Sequence, residues 1–141
     1  MKTVLTTTAA LLALATMAQA EGDADKGEKT FKKCKACHMI VSPDGDEIMK
    51  GGKTGPNLYG VIGRVAGSVE DFKYGDGLQA AAEAGFVWTE EALAEYVVDP
   101  KKYNDHHGWP AKTKMTYKLK KGGEDVAAYL ATFPAPEAAS E

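Results

Sequence analysis

The two cysteines are the first residues whose spacing could do chemistry, because they lie three positions apart and a histidine follows the second. A disulfide between Cys34 and Cys37 would close a very small loop and add little stability. Cysteines at positions i and i+3 share one side of a helical turn, so both thiols can reach one edge of a flat ligand. This Cys-x-x-Cys-His sequence is the attachment site for c-type haem, with His38 as an axial iron ligand. It predicts one haem c bound covalently through both cysteines.

Two other kinds of site use cysteines at this spacing. A thioredoxin-like dithiol requires a βαβ context, and a zinc site requires further Cys or His ligands at suitable spacing. The remaining histidines, His106 and His107, are adjacent, which is rare in structural zinc motifs. Haem attachment is therefore the interpretation that we favour.

The second axial position decides between two functions, since an open iron binds small molecules whereas a filled one mainly exchanges electrons. Met39 and Met49 follow His38 closely, whereas Met115 lies 77 residues further along and can approach from the far side. Polar residues surround Met115, so its burial would need a specific partner. The residues alone leave five candidates: Met39, Met49, Met115, His106 and His107.

Composition limits the fold to a single small domain. The 141 residues are 44% hydrophobic and 26% charged, and the net charge of -3 argues against a protein that coats nucleic acid. Only 9% of the residues are aromatic, and long glycine-rich loops leave little apparent core. A bound cofactor would supply the missing apolar mass.

The first twenty residues read as a secretory signal. Lys2 precedes the apolar run 9–15, and Ala18-Gln19-Ala20 is a small-x-small cleavage site. Threonines at positions 6–8 and 16 flank this run, which is shorter than the roughly 20 residues that span a bilayer. We therefore expect cleavage after Ala20, a folded domain over residues 21–133 and a disordered tail over residues 134–141.

Hydrophobic periodicity and stop signals predict an all-α fold with three to five short helices joined by long loops. Thr89 can cap one helix, and Pro134 ends the last one. Turn-forming residues fill 42–75, where no strand is expected. Four helices can be placed, over residues 23–37, 78–84, 90–98 and 124–132.

Several further stretches, taken in order, resemble class I cytochromes c, especially the larger periplasmic members from photosynthetic and denitrifying bacteria. The resemblance covers nearly all of residues 21–133. It rests on residues 27–31, 34–38, 53–60, Gly63-Arg64, Trp88, Tyr96, 100–103, Thr113-Lys114-Met115 and Tyr129-Leu130.

This resemblance implies a soluble periplasmic one-electron carrier with the cytochrome c fold, and not an enzyme. It selects Met115 as the second axial ligand and makes the carbonyl of Pro56 the acceptor for the ring N–H of His38. A haem enzyme or gas sensor with a labile or bis-histidine iron is the alternative. The resemblance also implies that Tyr96 forms a hydrogen bond near the Met115 sulfur and that Thr113 assists a haem propionate. Three further side chains are implied to hold the propionates: Arg64, Tyr74 and Trp88.

Charge is distributed unevenly along the chain. Residues 101–121 hold seven lysines and one acid, for a net +6, whereas residues 65–99 hold eight acids and one lysine, for a net -7. Lysines at 32, 33, 35, 50 and 53 flank the His38 side. We expect a lysine-rich haem edge where acidic redox proteins dock, such as a cytochrome bc complex, an oxidase, a reaction centre or a nitrogen-oxide reductase. We expect a monomer with no nucleic-acid partner and no stable membrane insertion.

Overall fold

A computed structural model describes residues 22–135. The predicted signal segment and residues 136–141 of the predicted tail lie outside this range. Between residues 22 and 135 no helix combines the length and apolar character that crossing a bilayer requires. The elements in chain order are α1 (Ala24–Phe31), β1 (Ile40–Val41), β2 (Glu47–Met49), α2 (Asp76–Glu83), α3 (Glu90–Val98), α4 (Pro100–His106) and α5 (Gly123–Ala131).

The first and last helices cross at close range. A Cβ atom at Gly27 would lie 2.7 Å from the Cβ of Tyr129, so only glycine permits this approach. The rings of Phe31 and Tyr129 pack at 5.8 Å, and the Asp23 side chain caps α1. This crossing fixes the place where the cysteine turn begins.

The prediction of a helix up to residue 37 is wrong, because α1 ends at Phe31 and the chain continues in hydrogen-bonded turns. The amide of Cys34 donates to the carbonyl of Phe31 at 2.7 Å, and that of Cys37 donates to the carbonyl of Cys34 at 3.1 Å. These turns place both cysteines on the lining of one cavity, with Cys34 half-buried and Cys37 exposed.

Helix α4 is absent from the sequence prediction, because a proline signals the end of the preceding helix. Pro100 instead occupies the first turn of a new helix, where its missing N–H costs nothing. Asp99 ends α3 and caps α4, with its side chain accepting from the amide of Lys102. The predicted α3, with its Thr89 cap, is confirmed.

A small antiparallel hairpin corrects the expectation of a strandless segment after residue 42. Ile40 pairs with Met49 and Val41 with Glu47 around a bulge. The strands have two and three residues, too few for the alternation that identifies a strand in sequence. Helix α2 begins at Asp76, two residues before the predicted start.

Candidate haem site

Residues from widely separated parts of the chain meet around one cavity of about 250 Å³. Its apolar walls come from α1, α3 and α5, represented by the buried side chains of Phe31, Leu93 and Leu130. All the residues that the sequence predicts to hold haem line this cavity: Cys34, Cys37, His38, Pro56, Arg64, Tyr74, Trp88 and Met115.

The two thiols suit covalent attachment better than dithiol redox chemistry. Burial raises the pKa of Cys34 to about 11, and the neighbouring Cys37 contributes to the rise. Reactive dithiols need a lowered pKa, which makes the thiolate available. Among the described residues no group of three or more His, Cys, Asp and Glu is arranged to hold a metal ion, so the zinc alternative has no support there.

The His38 ring is fixed from two sides. Its Nδ1–H donates to the carbonyl of Pro56 at 2.8 Å, which leaves Nε2 as the available iron ligand. A Cβ atom at Gly55 would lie 2.6 Å from Nδ1, so the backbone packs directly on the ring. Burial lowers the pKa of His38, and the charge of Arg64 lowers it further. The lowered pKa favours the neutral imidazole that metal ligation requires, although the hydrogen bond to Pro56 opposes part of the shift.

The Asn57 side chain anchors the loop that contains Pro56, a role that the sequence did not reveal. Its side chain accepts from the amide of Val41 at 3.0 Å and donates to the carbonyl of Val41 at 2.8 Å. It thereby ties the loop to the hairpin. The Gly-Pro-Asn sequence indicated a turn but could not identify the strand to which the turn is attached.

Met115 lies in a segment without helix or strand and is positioned by a side chain. Its amide donates to Thr113 Oγ1 at 3.1 Å, and the hydroxyls of Thr113 and Tyr96 are 3.2 Å apart. Burial raises the pKa of Tyr96, so its hydroxyl is neutral. The structure thus joins α3 to the Met115 segment through one hydroxyl pair.

Arg64 and Tyr74 fit the anionic edge of a haem. One guanidinium nitrogen of Arg64 donates to the carbonyls of Asn57 and Tyr59 at 3.1 and 3.2 Å. Burial lowers the pKa of Arg64, and a buried cation is stabilised by a nearby anion. The Tyr74 hydroxyl oxygen accepts from the amide of Val69 at 3.2 Å, which leaves its proton available to donate.

The two remaining histidines are not brought to this cavity. The His107 ring stacks on Tyr103 at 4.1 Å and on Trp109 at 4.9 Å, and its Nδ1–H donates to the Tyr103 carbonyl at 2.9 Å. His106 lies beside it at the end of α4. Neither residue lines the cavity, so the bis-histidine alternative receives no support from their position.

Known proteins resemble the chain over most of its length. The cytochrome c2 of Rhodobacter capsulatus is 58% identical over 130 residues, covering 89% of this chain and 92% of that protein. The cytochrome c-550 of Paracoccus versutus is 57% identical over 143 aligned positions, covering 98% and 92%. No protein-family model matches the chain.

Solved structures agree with these relatives. The crystal structure of cytochrome c2 from Rhodobacter capsulatus matches with a TM-score of 0.76 and 59% identity, covering 79% of this chain and 97% of that chain. Ferric cytochrome c-550 from Paracoccus versutus matches with a TM-score of 0.76 and 60% identity, covering 80% and 98%.

A single Cys-x-x-Cys-His turn that opens into an apolar cavity between short helices is typical of the c-type cytochromes with one haem. Within that class the chain belongs to the class I cytochromes c, among the cytochromes c2 and c-550. It carries one haem c, bound through Cys34 and Cys37, and it is an electron carrier and not an enzyme. The alternative of a haem enzyme or gas sensor is not supported.

Proposed function

We propose that His38 and Met115 are the axial ligands of the haem, and that this protein shuttles single electrons between redox proteins of the periplasm. The observation that carries the ligand assignment is that both side chains line one cavity whereas His106 and His107 do not. The haem supplies one-electron chemistry when it is bound.

The chain's own residues set the conditions for that chemistry. The Pro56 carbonyl orients the His38 ring, and Arg64, Tyr74 and Trp88 provide a cation and donors for the two propionates. The apolar walls exclude water and disfavour additional charge at the iron. A thioether from Met115 favours the reduced state relative to a second imidazole, so we expect a high reduction potential.

The visible spectrum of the ferric protein, measured together with its reduction potential, tests the ligand assignment. We expect the weak red band of sulfur-to-iron ligation and a potential above that of the hydrogen electrode. Absence of the band, or rapid binding of carbon monoxide to the reduced protein at neutral pH, would contradict ligation by Met115.

The docking surface that we propose is the lysine-rich edge of the cavity. All twelve lysines of the two basic groups are exposed, and Lys33 and Lys114 line the cavity itself. Lys112 and Lys118 are ion-paired with Asp76 and Asp99, at 3.1 and 2.6 Å, so their charges are partly compensated. Lys33 and Lys114 are therefore the residues that we expect to steer acidic partners.

Electron-transfer rates with a purified cytochrome bc complex test this surface. Rates should fall as ionic strength rises, and Lys114→Glu should lower the low-salt rate more than Lys29→Glu, which makes the same charge change outside the cavity lining. Equal effects of the two substitutions would show that net charge, and not the cavity edge, governs the encounter.

We also propose export to the periplasm with cleavage after Ala20. The composition of residues 1–20 supports this proposal. Amino-terminal sequencing of the haem protein from a periplasmic fraction should begin at Glu21. Recovery in the membrane fraction with Met1 retained would contradict it.

A further inference from the structure

The first turn of α2 lies directly against the backbone of residues 110–114, the segment that leads to Met115. The amide of Gly77 donates to the carbonyl of Lys112 at 3.0 Å. A Cβ atom at Gly75 would lie 3.0 Å from that carbonyl oxygen and 3.1 Å from the Cα of Thr113, and one at Gly77 would lie 2.6 Å from the Pro110 carbonyl oxygen. Two glycines therefore allow a helix end and this segment to touch backbone to backbone.

A buried amide completes this contact. Asn104 in α4 has no exposed surface, and the same Cβ position at Gly77 would also collide with its Nδ2 atom. Its side chain thus occupies the space above Gly77, where the Pro110 carbonyl also lies. Its own backbone carbonyl accepts from the amide of Trp109 at 2.9 Å, which starts the turn into the segment.

The presence of an amide at this position requires an explanation. Neither side-chain atom of Asn104 has a hydrogen-bond partner within the described part of the chain. An unsatisfied buried amide is costly, whereas leucine would fill similar space without that cost. The Pro110 carbonyl oxygen lies near the same Cβ position at Gly77 as Nδ2, although the two atoms are not hydrogen-bonded in this structure. A bond between them in the haem-loaded protein would fix where the segment begins.

We propose that Asn104, seated on Gly77 beside Pro110, is a positioning residue that holds the Met115 segment at its start while the Tyr96–Thr113 pair holds it near its end. The proposal rests on the proposed ligation by Met115. Only four residues separate Pro110 from Met115, so a shift at the first contact is transmitted to the sulfur.

Displacement of Met115 by imidazole in the haem-loaded ferric protein tests this role. Asn104→Leu should raise the apparent affinity for imidazole about threefold to tenfold, the ratio that corresponds to one hydrogen bond of ordinary net strength, here the bond that we infer from Nδ2 to the Pro110 carbonyl in the haem-loaded protein. Ile40→Val, a core substitution in the hairpin, controls for general destabilisation and should leave imidazole affinity unchanged while lowering the unfolding midpoint. Equal imidazole affinities for Asn104→Leu and the wild type would overturn the proposal.

A measurement on the unmodified sequence covers the case in which Asn104→Leu does not fold. Saturating imidazole should speed hydrogen exchange at the Gly77 amide, which is bonded to Lys112, but not at the Gly27 amide, which is bonded to Asp23. Unchanged exchange at Gly77 would overturn the proposal. If instead the wild-type ferric protein lacks the red band, and Met115→Ala binds imidazole no more tightly than wild type, ligation by Met115 itself fails.

Discussion

The two sides of the haem cavity are built in different ways. His38 lies in a hydrogen-bonded turn, its amide donating to the Cys34 carbonyl at 3.0 Å, its ring bonded to Pro56 and packed on Gly55. Met115 lies in a segment without regular structure, where a threonine hydroxyl accepts from its amide. The histidine is held by covalent neighbours and local backbone, whereas the methionine depends on contacts from α2, α3 and α4.

This difference predicts which of the two proposed iron ligands, His38 or Met115, exchanges more easily. Regions with few local backbone bonds open at lower free energy than those within a bonded turn. We therefore expect the Met115 side to detach while the His38 side and the fold remain intact.

The largest contrast should come from removing each ligand in turn. His38→Ala should abolish accumulation of the folded haem protein, because the His38 ring joins the attachment turn to the loop of Gly55 and Pro56. Met115→Ala should retain haem and helix content and bind carbon monoxide readily. Its reduction potential should fall by a substantial part of the about 0.8 V range that axial ligands span. Haem staining, circular dichroism and potentiometry measure these outcomes. Comparable loss of folded protein in both variants would contradict the contrast.

A substitution at Gly55, which packs on the His38 ring, should destabilise the protein less than removal of the ring itself. The added Cβ of Gly55→Ala meets the His38 ring, and overpacking of this kind destabilises by about 1–3 kcal/mol. Chemical denaturation and potentiometry measure the outcome. The reduction potential should shift as well, because the ring cannot keep its bond to Pro56.

Gly45→Ala is the matched control for that substitution. Gly45 has φ +91°, and in the described part of the chain an added methyl group would meet no atom of a distant residue within 4 Å, so alanine there strains only the hairpin backbone. Its stability should fall while the reduction potential stays unchanged. If the reduction potential shifts as much in Gly45→Ala as in Gly55→Ala, the contact between Gly55 and the His38 ring does not control the potential.

Alkaline pH should lower the free energy of unfolding through Tyr103 in α4, by less than the Gly55 substitution does. Burial raises the pKa of Tyr103 to about 12, with the charge of Glu95 adding to the rise. Between pH 10 and 12 the unfolded chain releases this proton while the folded protein keeps it, so stability falls as pH rises. Tyr103→Phe removes this contribution, and its unfolding free energy relative to wild type should rise across that interval by on the order of 1 kcal/mol. Chemical denaturation at several pH values measures it, and a constant difference between the two proteins would contradict the assignment.

The smallest effect should come from the ion pair that links the start of α4 to the Met115 side. Lys118 Nζ lies 2.6 Å from an Asp99 carboxylate oxygen, and this bond lowers the pKa of Asp99. The pair is partly exposed, so Lys118→Met should lower the free energy of unfolding only slightly, and less in high salt. Chemical denaturation at two salt concentrations measures it; a loss independent of salt would point to packing by the lysine stem.

The cofactor was more predictable from the sequence than the secondary-structure elements around it. The spacing of Cys34, Cys37 and His38 identified the haem directly, because covalent chemistry demands that pattern. Met115 could be preferred over His106 only through the resemblance to a known family, since its position depends on contacts that no local pattern reveals.

The errors in the fold have physical causes. Pro100 ends one helix and begins another, so a single residue carries two opposite signals. The hairpin strands are too short for a periodic pattern. The role of Asn104 could not be predicted from the sequence, because only the structure shows that its side chain is buried against Gly77.

The hairpin tip is an exposed turn with room for added residues. Residues 43–48 are exposed, and a side chain at Gly45 would meet open space. Lengthening a surface loop costs only about 0.6 kcal/mol for each doubling. Affinity tags or a tether to an electrode can therefore be placed at this turn, whose residues 43–48 are not part of the cavity lining.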